Sequence, residues 1–398
     1  MSDFQVAGVR LAAHAAGVRY ADRDDLVLVE LAPGAQCAGV FTRNAFCAAP
    51  VELARTHLQQ ESPRFWLINS GNANAGTGAR GLNDARECCQ SVANAGGVAA
   101  SEVLPFSTGV IGEDLPVGRI VAAVPELFAK LEAAGWELAA RAIMTTDTKP
   151  KLVKREVRLG EHTATLVGMA KGAGMICPNM ATMLAFIATD AAAEAPFVRA
   201  ALQQAVAGSF NAISIDGDTS TNDACMLAAT GRLGNPPLAW PEQPESRAFQ
   251  QALDSLCLEL ATAIVRDGEG ATKLVRIEVS EAESLAEARE VAATIAHSPL
   301  VKTALFAGDP NWGRILAAVG RAKVPGLAIE PVSLWLDEVC IVSGGGRDPN
   351  YREQDGARVM GQDDFRIGVR LGRGRASATM LTCDLSYDYV RINAEYRS

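Results

Sequence analysis

Hydrophobic and polar positions change period several times along the chain. Short runs rich in β-branched and aromatic residues come early, LVLVELA (26–32), AGVFTR (38–43) and RFWLINS (64–70), and each predicts a strand. A helix is expected around 82–94, and PELFAKLEAAG (125–135), opening on Pro and closing on Gly135, predicts another. WELAARAIM (136–144) reads as the next helix, and KREVRLGEHTATLVGM (154–169) alternates on both sides of LGEH, as a hairpin does. Met183–Ile187 is continuously apolar and predicts a buried strand. Helical spacing returns at 196–210, 245–265 and 284–296, with a strand at 272–280. Ser298-Pro299 and Asp309-Pro310 each pair an N-cap residue with Pro, predicting two short helices. From Val332 onward VSLWLD, VCIVSGG, FRIGVRLG, RASATMLTCDLS and YDYVRINAEY alternate as short strands do, and 234–247 predicts a surface loop. The mixture implies an α/β (α+β-like) fold with much antiparallel sheet.

Composition narrows the functions. The chain has 398 residues, enough for two or three domains or one large domain with two lobes, and 48% are hydrophobic, which supports a sizeable core. The net charge of -9 argues against nucleic acid or an anionic membrane as a partner, while leaving room for an acidic small molecule in a basic pocket. No apolar run approaches about eighteen residues, so no membrane-spanning helix is expected, and the first residues lack a secretory pattern. Nine cysteines, an odd number without CxxC spacing, read as reduced thiols of a cytoplasmic protein. The four histidines at 14, 57, 162 and 297 lie far apart, which argues against a histidine-built metal site or a Ser/His/Asp triad.

Several motifs have more than one reading. GTGARG (76–81) fits GxGxxG, but NSGNANA separates it from the preceding strand and no βαβ alternation follows. A Gly/Asn-rich loop needing positive φ is the plainer reading, and a rigid loop bordering a site is a third. In FSTGVIGEDLP (106–116), Thr108 and Gly109 form an ordinary turn or a hydroxyl and backbone N–H aimed at one oxygen, the parts of an oxyanion hole. TTDTK (145–149) and SIDGDTSTND (214–223) read as hydrogen-bonded turns; Asp216, Asp218 and Asp223 lack the calcium-loop pattern. RDGEGATK (266–273) is either a charged surface turn or a sharp bend, between Gly268 and Gly270, that sets the Glu269 carboxylate to meet an ammonium. GDPNWGR (308–314) is a helix start.

MAKGAGMICPNMATMLAFIATD holds the sharpest question. Thr182 is either a strand threonine or a nucleophile that makes its own base. Its hydroxyl could attack the carbonyl of Ala181, and hydrolysis of the ester would free an α-amine with a reference pKa of about 7.7–8.0.

That segment closely resembles the cleavage signature of the ornithine acetyltransferases, the glutamate N-acetyltransferases of arginine biosynthesis. NSGNANAG (69–76), STGVIG (107–112), TTDT (145–148), DGDTSTND (216–223), GEGATK (268–273), GDPNWGR (308–314) and YDYVRINAEYRS (387–398) resemble further motifs of that family, in family order. The resemblance implies layered β-sheets flanked by helices, like N-terminal-nucleophile enzymes, with a smaller C-terminal α/β lobe. It implies self-cleavage between Ala181 and Thr182 into chains of residues 1–181 and 182–398, which stay associated as an α2β2 assembly. Thr182 would carry the acetyl group of N-acetylornithine to glutamate, with no cofactor; whether acetyl-CoA is also a donor is left open, since the motifs are shared and no CoA-phosphate loop is evident. By motif, Thr108 and Gly109 would form the oxyanion hole. Thr145, Lys171, Glu269, Asn393 and Ser398 would bind substrate alongside Thr182. Cys177 departs from the pattern before Pro178, and with no histidine near it in sequence it is assigned a structural role. Two alternatives remain: a self-processed amidohydrolase or aminopeptidase, and a non-catalytic small-molecule binding protein.

Overall fold

The computed structural model describes residues 3–177, 183–239 and 243–395. The predicted cleavage pair, Ala181 and Thr182, and the terminal Ser398 lie outside them. The chain forms two compact units. The first comprises Met1–Gly172, Asn179–Asn211 and Thr219–Ile264; the second comprises Ala173–Pro178, Ala212–Asp218 and Val265–Ser398.

The first unit contains two sheets. Its strands are β1 (Val9–His14), β2 (Leu26–Leu31), β3 (Gln36–Phe41), β4 (Phe65–Asn72), β5 (Val103–Val110), β6 (Lys151–Leu159), β7 (His162–Lys171) and β8 (Leu184–Thr189). After β9 (Ile213–Ser214), which belongs to the second unit, β10 (Ala224–Ala229) completes the set. One sheet runs β1-β2-β4-β5 and the other β3-β10-β8-β7-β6. Their inner faces pack on each other: Trp66, Ile68 and Phe106 meet Met169, Phe186 and Met226. The Phe106 and Phe186 rings meet edge to face at 5.0 Å. Each such fully buried side chain stabilises the sandwich by about 1.5–3 kcal/mol.

Helices flank both sheets. The first unit's helices are α1 (Ala49–Gln60), α2 (Gly78–Gly96), α3 (Val117–Lys130), α4 (Trp136–Ala142), α5 (Ala195–Gly208) and α6 (Pro244–Arg266), whose last two residues fall in the second unit. Cys89, Val92 and Ala93 of α2 and Ile120, Val124 and Leu127 of α3 cover the outer face of the first sheet at Leu26, Leu28 and Phe65. On the second sheet, Gly168 lies under α6, where an added Cβ would come within 2.7 Å of Leu256.

The second unit is a seven-stranded sheet, in the order β14-β13-β12-β15-β11-β16-β9. Its remaining strands are β11 (Leu274–Ala282), β12 (Ser333–Leu336), β13 (Val339–Ser343), β14 (Gly346–Arg347), β15 (Asp364–Arg370) and β16 (Ala376–Cys383). Strand β15 shows why one face is covered: Phe365, Ile367 and Val369 point into the core and Arg366 and Arg370 away from it. The covering helices are α7 (Leu285–Ala296), α8 (Pro299–Ala307), α9 (Trp312–Gly320) and α10 (Glu353–Met360); α11 (Tyr387–Ala394) closes the unit. The expected layered α/β architecture with a smaller C-terminal α/β unit is therefore what folds.

Several elements depart from the pattern read in the sequence. Helix α3 begins at Val117, runs through Pro125 and ends at Lys130, five residues before Gly135. Its buried stripe Ile120, Ala123, Val124 and Leu127 outweighs the hydrogen bond that proline removes. Within YDYVRINAEY, Tyr387–Ala394 is a helix rather than a strand: the Ser386 hydroxyl accepts from the Tyr389 N–H at 3.4 Å and caps it. Asn311, not Asp309, caps α9, accepting from the Arg314 N–H at 3.1 Å. Strand β10, ACMLAA, has few residues that favour strands; pairing with β3 on one side and β8 on the other imposes its conformation. The segment β4–α2–β5 is a parallel βαβ unit, contrary to the expectation that no such alternation follows GTGARG.

Candidate active site

The register of the second sheet sets the chemistry around residue 183. Lys171, the last residue of β7, is opposite Leu184 on one side of β8, and Ala224, the first of β10, is opposite Leu184 on the other. Lys171 and Asp223 are thereby delivered to either flank of the strand that follows Thr182.

Lys171 is almost fully buried, and its Nζ donates to the Thr108 hydroxyl at 3.1 Å. This bond uses a lone pair of the hydroxyl oxygen and leaves its proton to donate elsewhere, as a partner for a developing negative oxygen requires. Thr108 itself is fixed by its strand. Asn222 Nδ2 donates to the carbonyl of Ser107 at 2.9 Å and to that of Ala73 at 2.6 Å. The Ser107 hydroxyl donates to Asn69 Oδ1 at 2.6 Å, so three of the sequence motifs lock one strand end. Asn72 Nδ2 reaches the carbonyl of Asp114 at 3.0 Å, and Asn74 Nδ2 that of Gly81 at 2.9 Å, which makes the Gly/Asn-rich loop a tied support for β5.

Gly109 follows at φ +134, where an added Cβ would lie 2.2 Å from the carbonyl carbon of Gly71. No side chain fits between β4 and β5 there. Gly109→Ala is expected to push β5 away from β4 and, on the oxyanion role that the resemblance implies for Gly109, to lower acyl-transfer rate by about 10²-fold or more. Steady-state assay alongside thermal unfolding checks it.

Thr145 and Lys171 are joined through a residue that sequence reasoning passed over. Asp147 Oδ2 accepts from the Thr145 N–H at 3.1 Å, while its Oδ1 accepts from the Gly172 N–H at 2.7 Å and from Lys151 Nζ at 2.6 Å. Both side chains of the Asp147–Lys151 pair are buried. Burial alone would push the Asp147 carboxyl up; the charges of Lys171 and Lys151, with the Gly172 N–H, outweigh it and hold the group below its ordinary value. The only hint in the sequence was the i,i+4 spacing of Asp147 and Lys151.

In the second unit Asn393 Nδ2 donates to Glu269 Oε2 at 2.8 Å, and the Glu269 N–H donates to the carbonyl of Ala173 at 2.7 Å. Gly174 makes room for the carboxylate: a Cβ there would come within 2.6 Å of it. Of the two glycines flanking Glu269, Gly270 takes positive φ (+67), and the Ser386 hydroxyl at the start of α11 donates to its carbonyl at 2.6 Å. Asp216 accepts from the N–H groups of Met175 and Ile176 at 2.6 and 3.0 Å and of Asp218 at 3.1 Å, the hydrogen-bonded turn expected of DGDTSTND. Cys177, with no histidine near it in sequence, has one beside it in space: His297 Nε2 lies 3.7 Å from its Sγ, although 120 residues separate them. Burial foremost, with Lys302 and Arg321, pushes the His297 pKa down and favours the neutral ring. All nine cysteines lie among the described residues and none is in a disulfide. Among the described residues no helix is long and apolar enough to cross a membrane, and no group of three or more His, Cys, Asp or Glu could hold a metal ion.

Two groups of predicted site residues thus take shape, Thr108, Gly109, Thr145 and Lys171 in the first unit, and Glu269 and Asn393 in the second. The model of the ArgJ family matches residues 10–398. The chain belongs to the ArgJ family. Its sequence is 59% identical over 393 residues to the "Arginine biosynthesis bifunctional protein ArgJ" of Methylococcus capsulatus, covering 99% of this chain and 96% of that one. It is 50% identical to the protein of the same name from Psychrobacter arcticus, covering 99% and 97%. A solved ArgJ structure from Bacillus halodurans, 38% identical, superposes with a TM-score of 0.50 over 52% of this chain and 95% of that one. The resemblance carried by eight motifs therefore holds along nearly the whole chain.

Proposed function

We propose that the chain is an arginine-biosynthesis acetyltransferase that moves an acetyl group from N-acetylornithine to glutamate through an ester on Thr182. The observation that carries the reading is the buried Lys171–Thr108 contact beside Gly109, on the strand register that also sets residue 183. The family and its relatives' names supply the substrate class.

The precursor acts on itself first. The Thr182 hydroxyl attacks the Ala181 carbonyl, the peptide C–N bond breaks, and water hydrolyses the ester. The products are chains of residues 1–181 and 182–398. The first unit draws on both sides of that break, which supports chains that remain associated, as in an α2β2 assembly. The freed α-amine of Thr182 then takes the proton of its own hydroxyl. The hydroxyl oxygen attacks the acetyl carbonyl of N-acetylornithine, Thr108 and Gly109 hold the oxyanion, and ornithine leaves with the proton. Glutamate enters, and its amine attacks the ester and departs as N-acetylglutamate. Lys171 and Thr145 serve substrate carboxylate, Glu269 an ammonium, and Asn393 orients Glu269, while Ser398 completes the set carried over by motif. Acetyl-CoA is proposed as a second donor, and the thiols suit a reducing, cytoplasmic setting.

Purified protein should form N-acetylglutamate with N-acetylornithine alone as donor. Formation with acetyl-CoA alone decides between one donor and two. Acetylornithine hydrolysis outpacing transfer would instead indicate an amidohydrolase, and no turnover from an intact chain would indicate a binding protein.

A further inference from the structure

Asp223 ends the DGDTSTND motif and is completely buried. Its Oδ1 accepts from the N–H of Met183 at 3.0 Å, and the next N–H of β10, that of Ala224, donates to the Met183 carbonyl at 3.2 Å. The Met183 nitrogen belongs to the peptide group that Thr182 contributes. Oδ2 makes no hydrogen bond to the described residues. Of the neighbouring hydroxyls, that of Thr42 donates to the Ser220 carbonyl at 2.8 Å, while Ser220 Oγ accepts from the Asn222 N–H at 3.0 Å and keeps its own proton. Leaving a carboxyl oxygen buried and unmatched costs about 1–3 kcal/mol, and more if it is charged. A group retained in such a place calls for a role.

We propose that Asp223 is the positioning residue for Thr182, holding by one hydrogen bond the peptide group that joins Thr182 to Met183. The proposal rests on Thr182 being the nucleophile. Burial raises the Asp223 pKa well above the usual carboxylate range, against the opposing effects of the Met183 N–H, Lys171 and the Ser220 and Thr42 hydroxyls, and so favours the neutral form. The neutral form suits the chemistry. Covalent geometry keeps the α-nitrogen of Thr182 within about 4 Å of the Met183 nitrogen. A carboxylate at Asp223 would favour the protonated form of a nearby α-amine and weaken it as a base. A neutral acid fixes the strand start without that effect. Lys171 flanks β8 from the other side, so anchor and cation bracket residue 183.

The test compares wild type, Asp223→Asn and Asp223→Ala for self-cleavage on a denaturing gel, for kcat and KM with N-acetylornithine, and for thermal unfolding. Asn keeps the acceptor and the neutral charge, so full cleavage is expected, with transfer within about tenfold of wild type. Ala removes the anchor, so slow cleavage is expected, with kcat lower by about 10²-fold and KM little changed. Asp223→Ser, polar but too short to reach Met183, takes the place of the Ala variant if that chain does not fold. Wild-type behaviour of the Ala or Ser chain would overturn the proposal. So would an Asn chain that fails to fold or folds without cutting, because charge would then be essential. An uncut wild type would sink the Thr182 reading itself, an outcome separate from either.

Discussion

A Thr182→Ala chain is expected to stay in one piece and to form no N-acetylglutamate. Alanine has no hydroxyl to attack the Ala181 carbonyl, so no ester forms and no new amine appears. The same substitution removes the atom that would carry the acetyl group, so both events fail together. The loss of transfer should reach about 10⁴-fold or more, as when an enzyme loses its covalent nucleophile. Thr182→Ser keeps the hydroxyl and should cut and turn over. Denaturing gels and an N-acetylglutamate assay on the same preparations check the pair; full activity in an uncut Ala chain would end the account.

Asp147→Asn has the second large expected effect, and on stability as well as rate. Asp147 holds two N–H groups and the Lys151 ammonium in a site closed to water. Asparagine removes the negative charge that Lys151 pairs with and that acts on Lys171, both of them buried. Breaking one side of a buried pair costs about 3–5 kcal/mol. The Thr145 and Gly172 N–H groups also lose a charged acceptor, which frees the loop and the end of β7 that carry Thr145 and Lys171. Urea unfolding at neutral pH should show the loss, and transfer should fall by about tenfold or more as Lys171 leaves Thr108. The pH dependence has a definite sign. Because the folded Asp147 carboxyl is held below its ordinary value, its contribution is complete above the unfolded value of about 3.9 and is lost as pH falls through the folded one. Wild type should therefore lose stability below about pH 4 along a slope that Asp147→Asn lacks. Matching acid profiles for the two chains would contradict this.

Much of the fold was legible because local pattern and tertiary demand agreed. The hairpin at 154–169 alternates as an isolated hairpin would, and Ser298 caps α8 as its sequence implies. The failures came where a tertiary partner decided. ACMLAA is a strand because β3 and β8 leave it no alternative. YDYVRINAEY alternates, yet Ser386 caps its Tyr387–Ala394 stretch into a helix against Gly270. The motifs named Thr108, Lys171, Glu269 and Asn393, but not the contacts between them. Asp147 acts on Gly172 across 25 residues, and Asp223 on Met183 across 40, distances at which spacing carries no signal. Cys177 and His297 met for the same reason.

Intact mass of the denatured protein, taken before and after exposure to N-acetylornithine without glutamate, tests the central claim most directly. Two chains are predicted, 1–181 and 182–398, with a single acetyl group appearing on the second and departing when glutamate is added. A single chain of 398 residues that gains no acetyl group would contradict it.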